Sequence, residues 1–374
     1  MGLTSHKVLA LAVALGVVLF VATVVFWPRL AHRNWRAVAG RIGLLLATQL
    51  AVFTMVGLLA NNSFLFYASW ADLFGQEQTP GVVVDHAGGT AHSGSRSVQV
   101  LGKQELDVKG GRGPRVGGQI QRVLIEGKAS RIASPAYVYL PPEYFQPRYA
   151  KRTFPAAVVL TGYPGVAQNL FKGLAYPQTA LKLAKAGQTQ PMVLIMMRPT
   201  VAPPRDTECV DVPGGPQAET FFAKDVPQAV HASYRVGTRA QNWGFVGDST
   251  GGYCALKIAM HHPNVYGAGA GLSAYYKAAE DVTTGDLFHG DEHARHRADL
   301  LWSLEHLPAP DTSLMLTTSK QGEGNYKSTM KFLANAKPPT RVSSMVLESG
   351  GHNFNTWRRE IPPTLVWLSS RLTG

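Results

Sequence analysis

The sequence predicts an α/β fold with a mostly parallel sheet and helices on both faces, preceded by a two-helix transmembrane hairpin. Two observations lead to this prediction. From about residue 120 onward, short apolar runs alternate with amphipathic stretches, as the strands and covering helices of such a sheet do. Before them, two long uncharged apolar runs lie within the first sixty residues. We therefore divide the chain into a hairpin (1–74), a linker (75–118) and an α/β domain (119–374).

Composition and charge narrow the classes of function. The 374 residues are 45% hydrophobic and 16% charged, which is an ordinary globular balance with an added apolar part. Lys and Arg outnumber Asp and Glu by 36 to 24, but part of this excess lies in the first sixty residues, which contain no acid. Because no basic run is interleaved with aromatic residues and no zinc-finger spacing occurs, we expect no nucleic-acid binding. Attraction to an anionic membrane or wall explains the charge better.

The two apolar runs, residues 8–27 and 42–60, are each long enough to span the hydrocarbon core as a helix. The segment between them has four arginines and no acid, so the positive-inside rule places it in the cytoplasm and both chain ends outside. A cleaved signal peptide is the alternative for the first run, but the run is long and lacks a small-residue cleavage site. We expect a cell-membrane protein with two spans and an extracytoplasmic domain.

The segment 75–118 is rich in Gly, Ser, His and Gln and is predicted as a linker with at most two strands, at 82–84 and 97–101. Eight apolar runs after it are predicted as strands: RVLIE, AYVYL, AAVVL, MVLIMM, NWGFVG, AGAGLS, SLMLTT and RVSSMVL. Amphipathic stretches between several of these runs are predicted as helices, at 167–186, 218–234, 251–261 and 326–336.

The fifth apolar run leads into Gly247-Asp248-Ser249-Thr250-Gly251, a G-x-S-x-G pattern. In a glycine-rich chain this pattern alone arises easily by chance, and a plain Gly-Ser turn is the alternative. Its setting is more specific, because an apolar strand ends where a helix of small residues begins. Such a turn is strained, projects the serine oxygen, and needs glycines where strand and helix approach each other. We therefore predict that Ser249 is the nucleophile of an α/β-hydrolase fold.

A serine hydroxyl is a weak nucleophile until a base takes its proton, and in this fold the base is a histidine after the last strand. His352 follows the last predicted strand and a Gly-Gly turn. The acid that orients the imidazole should follow the penultimate strand, where Glu323 stands. Three other acids in the same interval, in a loop after the sixth strand, remain alternatives: Asp281, Asp286 and Asp291.

Two backbone N–H groups should stabilise the oxyanion that forms on the substrate. One is expected from Thr250, directly after the nucleophile, and the other from the loop after the third strand. In that loop the position of Tyr163 makes it the expected donor. Gly162 remains an alternative, because a backbone N–H can donate whatever side chain the residue carries.

These motifs resemble the family of putative esterases that includes esterase D and the mycolyltransferases. The resemblance covers about residue 130 to the C-terminus and rests on five segments: AYVYLPPEY, VVLTGYPG, GDSTGGYCALKIAMHHP, GLSAYY and SGGHNFNTW. Mycolyltransferases carry Asp-Gly-Leu where this chain has Thr161-Gly162-Tyr163, and a methionine-rich nucleophile motif where it has Asp248 and Thr250. The resemblance therefore implies hydrolase or acyl-transfer chemistry and leaves the acceptor open.

A histidine-rich stretch, FHGDEHARHR, places His289, His293 and His296 where they could share a helix face. Because Arg295 and Arg297 would oppose a cation, we expect a lid over the site with no metal. We also expect no cofactor.

The chain has two cysteines, Cys209 in a loop and Cys254 on the helix after the nucleophile. Outside the cytoplasm such a pair tends to be oxidised, so a disulfide that ties the loop to the helix is a candidate. Two unpaired buried thiols are the alternative.

The sequence thus predicts a membrane-anchored extracytoplasmic serine esterase or acyltransferase. It would act on an ester substrate, a lipid or envelope acyl group, through a Ser-His-Glu triad and an acyl-enzyme. A peptidase or thioesterase with the same triad and a catalytically silent envelope binding module remain alternatives. Beyond the bilayer and the ester substrate, no obligate protein partner is evident.

Overall fold

The computed structural model describes residues 5–64, 97–106, 108, 111, 113–203 and 205–374. The chain separates into two units, Met1–Gly88 and Gly89–Gly374. The short strand predicted at 82–84 lies outside the described residues.

The described part of the first unit, residues 5–64, contains two helices, α1 (His6–Phe26) and α2 (Trp35–Phe64). Both are long and apolar enough to cross a membrane, judged by length and composition alone. They contact each other, and the hydroxyls of Thr23 and Thr48 lie 3.1 Å apart between them. Most of their large apolar side chains are exposed, so this apolar surface is not covered within the described chain.

The second unit is built on a nine-stranded sheet with the order β1-β2-β3-β5-β4-β6-β7-β8-β9. Its strands are β1 (Val98–Glu105), β2 (Gln119–Glu126), β3 (Ala133–Leu140), β4 (Ala156–Leu160), β5 (Val193–Met197), β6 (Trp243–Asp248), β7 (Ala268–Leu272), β8 (Ser313–Gln321) and β9 (Arg341–Ser349). The pairings from β5 through β4, β6, β7 and β8 to β9 are parallel, and those among β1, β2, β3 and β5 are antiparallel. The predicted α/β fold is confirmed.

Strand β1 lies inside the range 75–118, which the sequence predicted as a linker, and it overlaps the short strand expected at 97–101. It pairs antiparallel with β2, so the boundary at 119 separates β1 from its own sheet. Of its eight residues only Val98 is buried. An exposed edge strand of this kind carries little apolar signal, so its sequence resembles that of a linker.

Helices connect the strands and cover the sheet. They are α3 (Asn169–Lys172), α4 (Tyr176–Lys185), α5 (Ala218–Thr220), α6 (Val226–Ser233), α7 (Thr250–His261), α8 (Glu292–Arg297), α9 (Leu300–His306), α10 (Tyr326–Asn335) and α11 (Phe354–Arg371). A π-helical turn, Phe221–Asp225, joins α5 to α6.

Helices α7 and α11 lie on opposite faces of the sheet. A side chain on Gly244 of β6 would meet Leu368 of α11. A side chain on Gly269 of β7 would meet Ala259 of α7. Gly269 pairs in register with Phe245, the residue after Gly244, and neighbouring residues of a strand point to opposite faces. The sheet is therefore covered on both sides, as a largely parallel sheet must be.

The four central strands, β4 to β7, are buried along their whole length. In parallel sheets of this type, ligand sites form outside the carboxyl ends of the strands. The segments that follow β4, β6, β8 and β9 contain the predicted triad and oxyanion-hole residues, so the buried core positions these residues at one edge.

Candidate active site

Ser249 stands in a sharp turn between β6 and α7. Its backbone has φ 54° and ψ −122°, a positive-φ conformation that residues other than glycine rarely adopt. A Cβ on Gly251 would lie 2.5 Å from the carbonyl oxygen of Leu160, so only glycine fits there. The strand and the helix can therefore approach closely enough to hold Ser249 in this strained, projecting position.

His352 lies in the loop between β9 and α11 and reaches the serine. Its Nε2 is 2.8 Å from Ser249 Oγ, which is hydrogen-bonding distance. The Trp357 and His352 rings pack nearly perpendicular to each other, with the ring centroids 5.2 Å apart. The His352 side chain is 47% exposed, so this candidate base is open to solvent.

Glu323 follows β8 and lies on the other side of the imidazole. Its Oε2 is 3.4 Å from His352 Nδ1, and its side chain is 2% exposed. Its Oε1 accepts a hydrogen bond of 2.7 Å from the Ser273 hydroxyl, whose oxygen accepts one of 2.9 Å from Trp357 Nε1. Trp357 therefore contacts His352 directly and Glu323 through Ser273.

The three alternative acids have other partners. Each binds backbone N–H groups of its own loop: Asp281 binds Thr283, Asp286 binds Phe288 and His289, and Asp291 binds Ala294 at the start of α8. Among the acids that the sequence allowed, the structure brings only Glu323 to His352.

The loop after β4 lies directly beside Ser249. A Cβ on Gly162 would be 2.8 Å from Ser249 Cβ. The Gly162 N–H donates a hydrogen bond of 2.9 Å to Asp248 Oδ2, so it is already engaged. Within the described residues the N–H groups of Tyr163 and Thr250 have no acceptor. Of the two candidates in this loop, Tyr163 is the one whose donor remains free for an oxyanion.

Cys209 and Cys254 form a disulfide, and both are fully buried. The bond joins the loop after β5 to α7, the helix that begins at the nucleophile. The buried Lys257 of α7 strengthens the same junction, because its ammonium group donates a hydrogen bond of 2.7 Å to the Cys209 carbonyl.

The loops after β5 and β7 also hold each other. Arg205 Nε donates to the carbonyl of Thr284 at 2.6 Å, and another guanidinium nitrogen donates to the Asp286 carbonyl. The Asp206 N–H donates to the Thr283 carbonyl at 3.1 Å. The two loops are therefore interlocked, and the disulfide fixes one of them to α7.

A buried carboxyl that the sequence did not single out lies in this junction. Both oxygens of Glu208 accept from the Tyr275 hydroxyl, at 2.6 and 2.8 Å. The Tyr275 ring stacks on Tyr253 of α7, with centroids 5.2 Å apart. Burial raises the pKa of Glu208 to about 8, and the charge of Asp206 acts in the same direction. Glu208 therefore holds its proton more tightly than a solvated glutamate does, while the hydrogen bond from Tyr275 favours the charged form.

The histidine-rich stretch forms α8 and the turn before it. Across the described chain, no three His, Cys, Asp or Glu side chains are close enough together to hold a metal ion. The His296 ring instead stacks on Trp302 of α9, with centroids 5.0 Å apart.

A model of the putative esterase family matches residues 133–368, the region that contains the sheet from β3 onward and all of these site residues. The chain belongs to this family. A curated relative, an uncharacterized protein of Corynebacterium glutamicum, is 25% identical over 258 residues. That match covers 64% of this chain and 58% of the relative, so the chain spans under two thirds of the length of that relative.

The same fold is seen in solved structures of other hydrolases. An S-formylglutathione hydrolase from Agrobacterium tumefaciens aligns with a TM-score of 0.57 at 14% identity, over 73% of this chain and 99% of that one. A ferulic acid esterase aligns at 0.56 and 16% identity, over 68% and 98%. FphF, a fluorophosphonate-binding serine hydrolase of Staphylococcus aureus, aligns at 0.52 and 14%, over 66% and 97%. At these identities the likeness concerns the fold.

Ser273→Ala should test the hydrogen-bonded support behind Glu323. We expect kcat to fall about tenfold with little change in KM, since a lost hydrogen bond to a charged group costs roughly 1.5–3 kcal/mol and part of that cost reaches the transition state. Ser343→Ala is the matched control, because Ser343 also accepts from a tryptophan, Trp367 Nε1 at 3.0 Å, away from the triad candidates. Equal kcat in the two variants would contradict the role of Ser273.

Proposed function

We propose that this chain is a membrane-anchored serine esterase or acyltransferase that acts on an ester of a lipid or envelope acyl group. The observation that carries the proposal is the 2.8 Å contact between Ser249 Oγ and His352 Nε2, with the buried Glu323 behind the imidazole. Membership of the putative esterase family supports the reaction class.

In the proposed reaction, Ser249 Oγ attacks the ester carbonyl carbon while His352 Nε2 takes the hydroxyl proton. Glu323 holds the imidazole and balances the positive charge that it gains. The N–H groups of Tyr163 and Thr250 stabilise the negative oxygen. His352 then returns the proton to the leaving alcohol, which departs and leaves an acyl-serine. Water, or another alcohol activated by the same histidine, takes the acyl group and restores the serine.

A fluorophosphonate probe tests this proposal without knowledge of the substrate, because it reacts with a serine only where a base and an oxyanion hole are assembled. The full-length protein in detergent should be labelled, and Ser249→Ala should not be labelled. Thermal unfolding should show that both proteins are folded. A folded wild-type chain that stays unlabelled would overturn the proposal in favour of a silent binding module.

The exposure of His352 supports a large or surface-presented substrate, because an open reaction centre does not enclose a small one. A panel of p-nitrophenyl esters of increasing chain length, with a matched thioester and anilide, would separate esterase from thioesterase and peptidase activity. Added primary alcohol distinguishes transfer from hydrolysis, since a transferase forms the new ester at the expense of free acid.

The four arginines between the two apolar runs, of which Arg36 and Arg41 lie in the first turns of α2, favour a cytoplasmic position for that segment and an extracytoplasmic catalytic domain. The disulfide supports the same topology, because disulfides persist in oxidising compartments. Protease added to intact cells should remove a C-terminal tag and spare an epitope placed between the helices. Opened cells provide the control in which both are cleaved. If the tag resists protease until the cells are opened, the catalytic domain lies in the cytoplasm and the proposed topology is wrong.

A further inference from the structure

Asp248, the residue before the nucleophile, is a fully buried carboxylic acid that the reaction described above does not use. Its Oδ2 accepts the Gly162 N–H at 2.9 Å. Its Oδ1 has no hydrogen-bond partner within the part of the chain that the structure describes. Burying a half-satisfied polar group costs free energy, so a residue of this kind at such a position calls for a compensating role.

The oxyanion loop after β4 is held by few hydrogen bonds. The Thr161 N–H donates to the Met197 carbonyl of β5 at 3.3 Å, and the Gly165 N–H donates to the Gly162 carbonyl at 2.8 Å. The bond from Gly162 to Asp248 joins this loop to the turn that carries the nucleophile. The Gly162 carbonyl and the Tyr163 N–H share one planar peptide unit, so the bond from Gly165 to this carbonyl restricts that unit, and the bond to Asp248 restricts the unit before it. Together the two bonds limit the direction in which the Tyr163 N–H can point.

We propose that Asp248 is a positioning residue of the oxyanion hole. By holding the Gly162 N–H it places the neighbouring Tyr163 N–H where it can donate to the oxygen that becomes negative when Ser249 attacks. The same bond keeps Gly162 from acting as a competing donor. This inference rests on the proposed function, in which Tyr163 and Thr250 form the hole.

The role requires an acceptor at Oδ2 and does not require a charge. Burial raises the pKa of Asp248 to about 7, while the Gly162 hydrogen bond and the nearby His352 act in the opposite direction. In either protonation state one carboxyl oxygen can accept from Gly162. Tyr176 and Glu360 are further titratable groups that interact with this carboxyl, and neither donates to Oδ2 within the described chain.

Two substitutions distinguish the need for a hydrogen-bond acceptor at residue 248 from the need for a negative charge there. Asp248→Asn keeps the shape and an oxygen that can accept from Gly162, and we expect kcat within about threefold of the wild type. Asp248→Ala removes the acceptor, and we expect kcat to fall about 10- to 100-fold with KM changed far less, since a lost oxyanion donor costs about 10²–10³ in kcat and a misplaced one costs part of that. If the alanine variant does not fold, Asp248→Leu replaces it, because leucine fills the site without an acceptor.

Hydrogen exchange of the peptide that contains residues 161–165 gives a readout independent of activity. Its exchange should quicken in Asp248→Ala and stay slow in Asp248→Asn. Asp225→Ala is the matched control, because the buried Asp225 accepts the N–H groups of Ala129 and Ser130 at 2.9 Å each, away from the site. Its effect should appear at those amides and leave the 161–165 peptide and kcat unchanged.

Each outcome decides the proposal. Slow exchange and normal kcat in Asp248→Ala would overturn it. An Asp248→Asn variant that loses as much activity as Asp248→Ala would also overturn it, because the charge of Asp248 would then be the property that matters. If exchange becomes faster in Asp248→Ala but kcat does not change, Asp248 does hold the loop. That result would refute its role in the oxyanion hole. An inactive wild type would refute the proposed function, and the oxyanion-hole role with it, while the exchange comparison would still decide whether Asp248 holds the loop.

Discussion

Replacing His352 with alanine should lower both the rate of fluorophosphonate labelling and kcat/KM for an ester by a thousandfold or more. The imidazole contacts Ser249 Oγ at 2.8 Å, so the variant loses the group that would take the serine proton. Loss of a triad member in serine hydrolases has an effect of on the order of 10³-fold or larger. Both rates should be measured on the purified chain in detergent.

Glu323→Gln should lower the same rates by on the order of a hundredfold or more, because glutamine fills the site without balancing the charge on the imidazolium. The matched control is Asp281→Asn, since Asp281 binds only its own loop. If Glu323→Gln has normal rates and a substitution at Asp281, Asp286 or Asp291 lowers them strongly, that aspartate is the acid of the triad and Glu323 is not.

Glu360→Gln should stabilise the protein at pH 8. Glu360 lies on α11 and is fully buried, and neither of its oxygens has a partner of good hydrogen-bond geometry among the described residues, although the nearby Thr317 hydroxyl favours the charged form. Burial raises its pKa to about 8, and the charges of Glu323 and Asp248 act in the same direction. The folded state therefore keeps a proton that the unfolded chain gives up near pH 4.3.

The direction of the pH effect follows from this difference. The favourable contribution of protonated Glu360 is complete below about pH 4.3 and is lost as the pH rises toward 8. Glutamine has no proton to lose, so at pH 8 the variant should be more stable by about 2–4 kcal/mol, and at pH 5 by much less. Thermal unfolding at both pH values measures this. Glu348→Gln, on an exposed strand end, is the control with no expected pH-dependent gain, and an equal gain there would refute the assignment to Glu360.

The sequence predicted the central sheet because each of its strands is a short apolar run bounded by turns. Strands β4 to β7 are buried throughout, so their composition is dictated by the core. The order of motifs along the chain also indicated which residues should meet, and Ser249, His352 and Glu323 do lie together. Chain order sufficed because the fold brings the carboxyl ends of its parallel strands to one edge.

Other features depend on tertiary contacts that leave no local pattern. Strand β5 inserts between β3 and β4, an order that no property of the three apolar runs encodes. Ser273 and Trp357 lie inside quoted motifs, but their link to Glu323 appears only when β7, β8 and α11 are packed. The bond from Asp248 to Gly162 likewise joins residues far apart in sequence.

The interlocked loops after β5 and β7 affect how this scaffold could change its specificity. Arg205 joins them through the Thr284 and Asp286 carbonyls, and the disulfide pins the first to α7, while the triad candidates come from other segments. Insertions in one loop alone would break contacts with the other. Replacing these loops with those of a relative should therefore preserve the fold only when both loops and both cysteines are exchanged together. Among relatives, sequence changes in one loop should be accompanied by changes in the other.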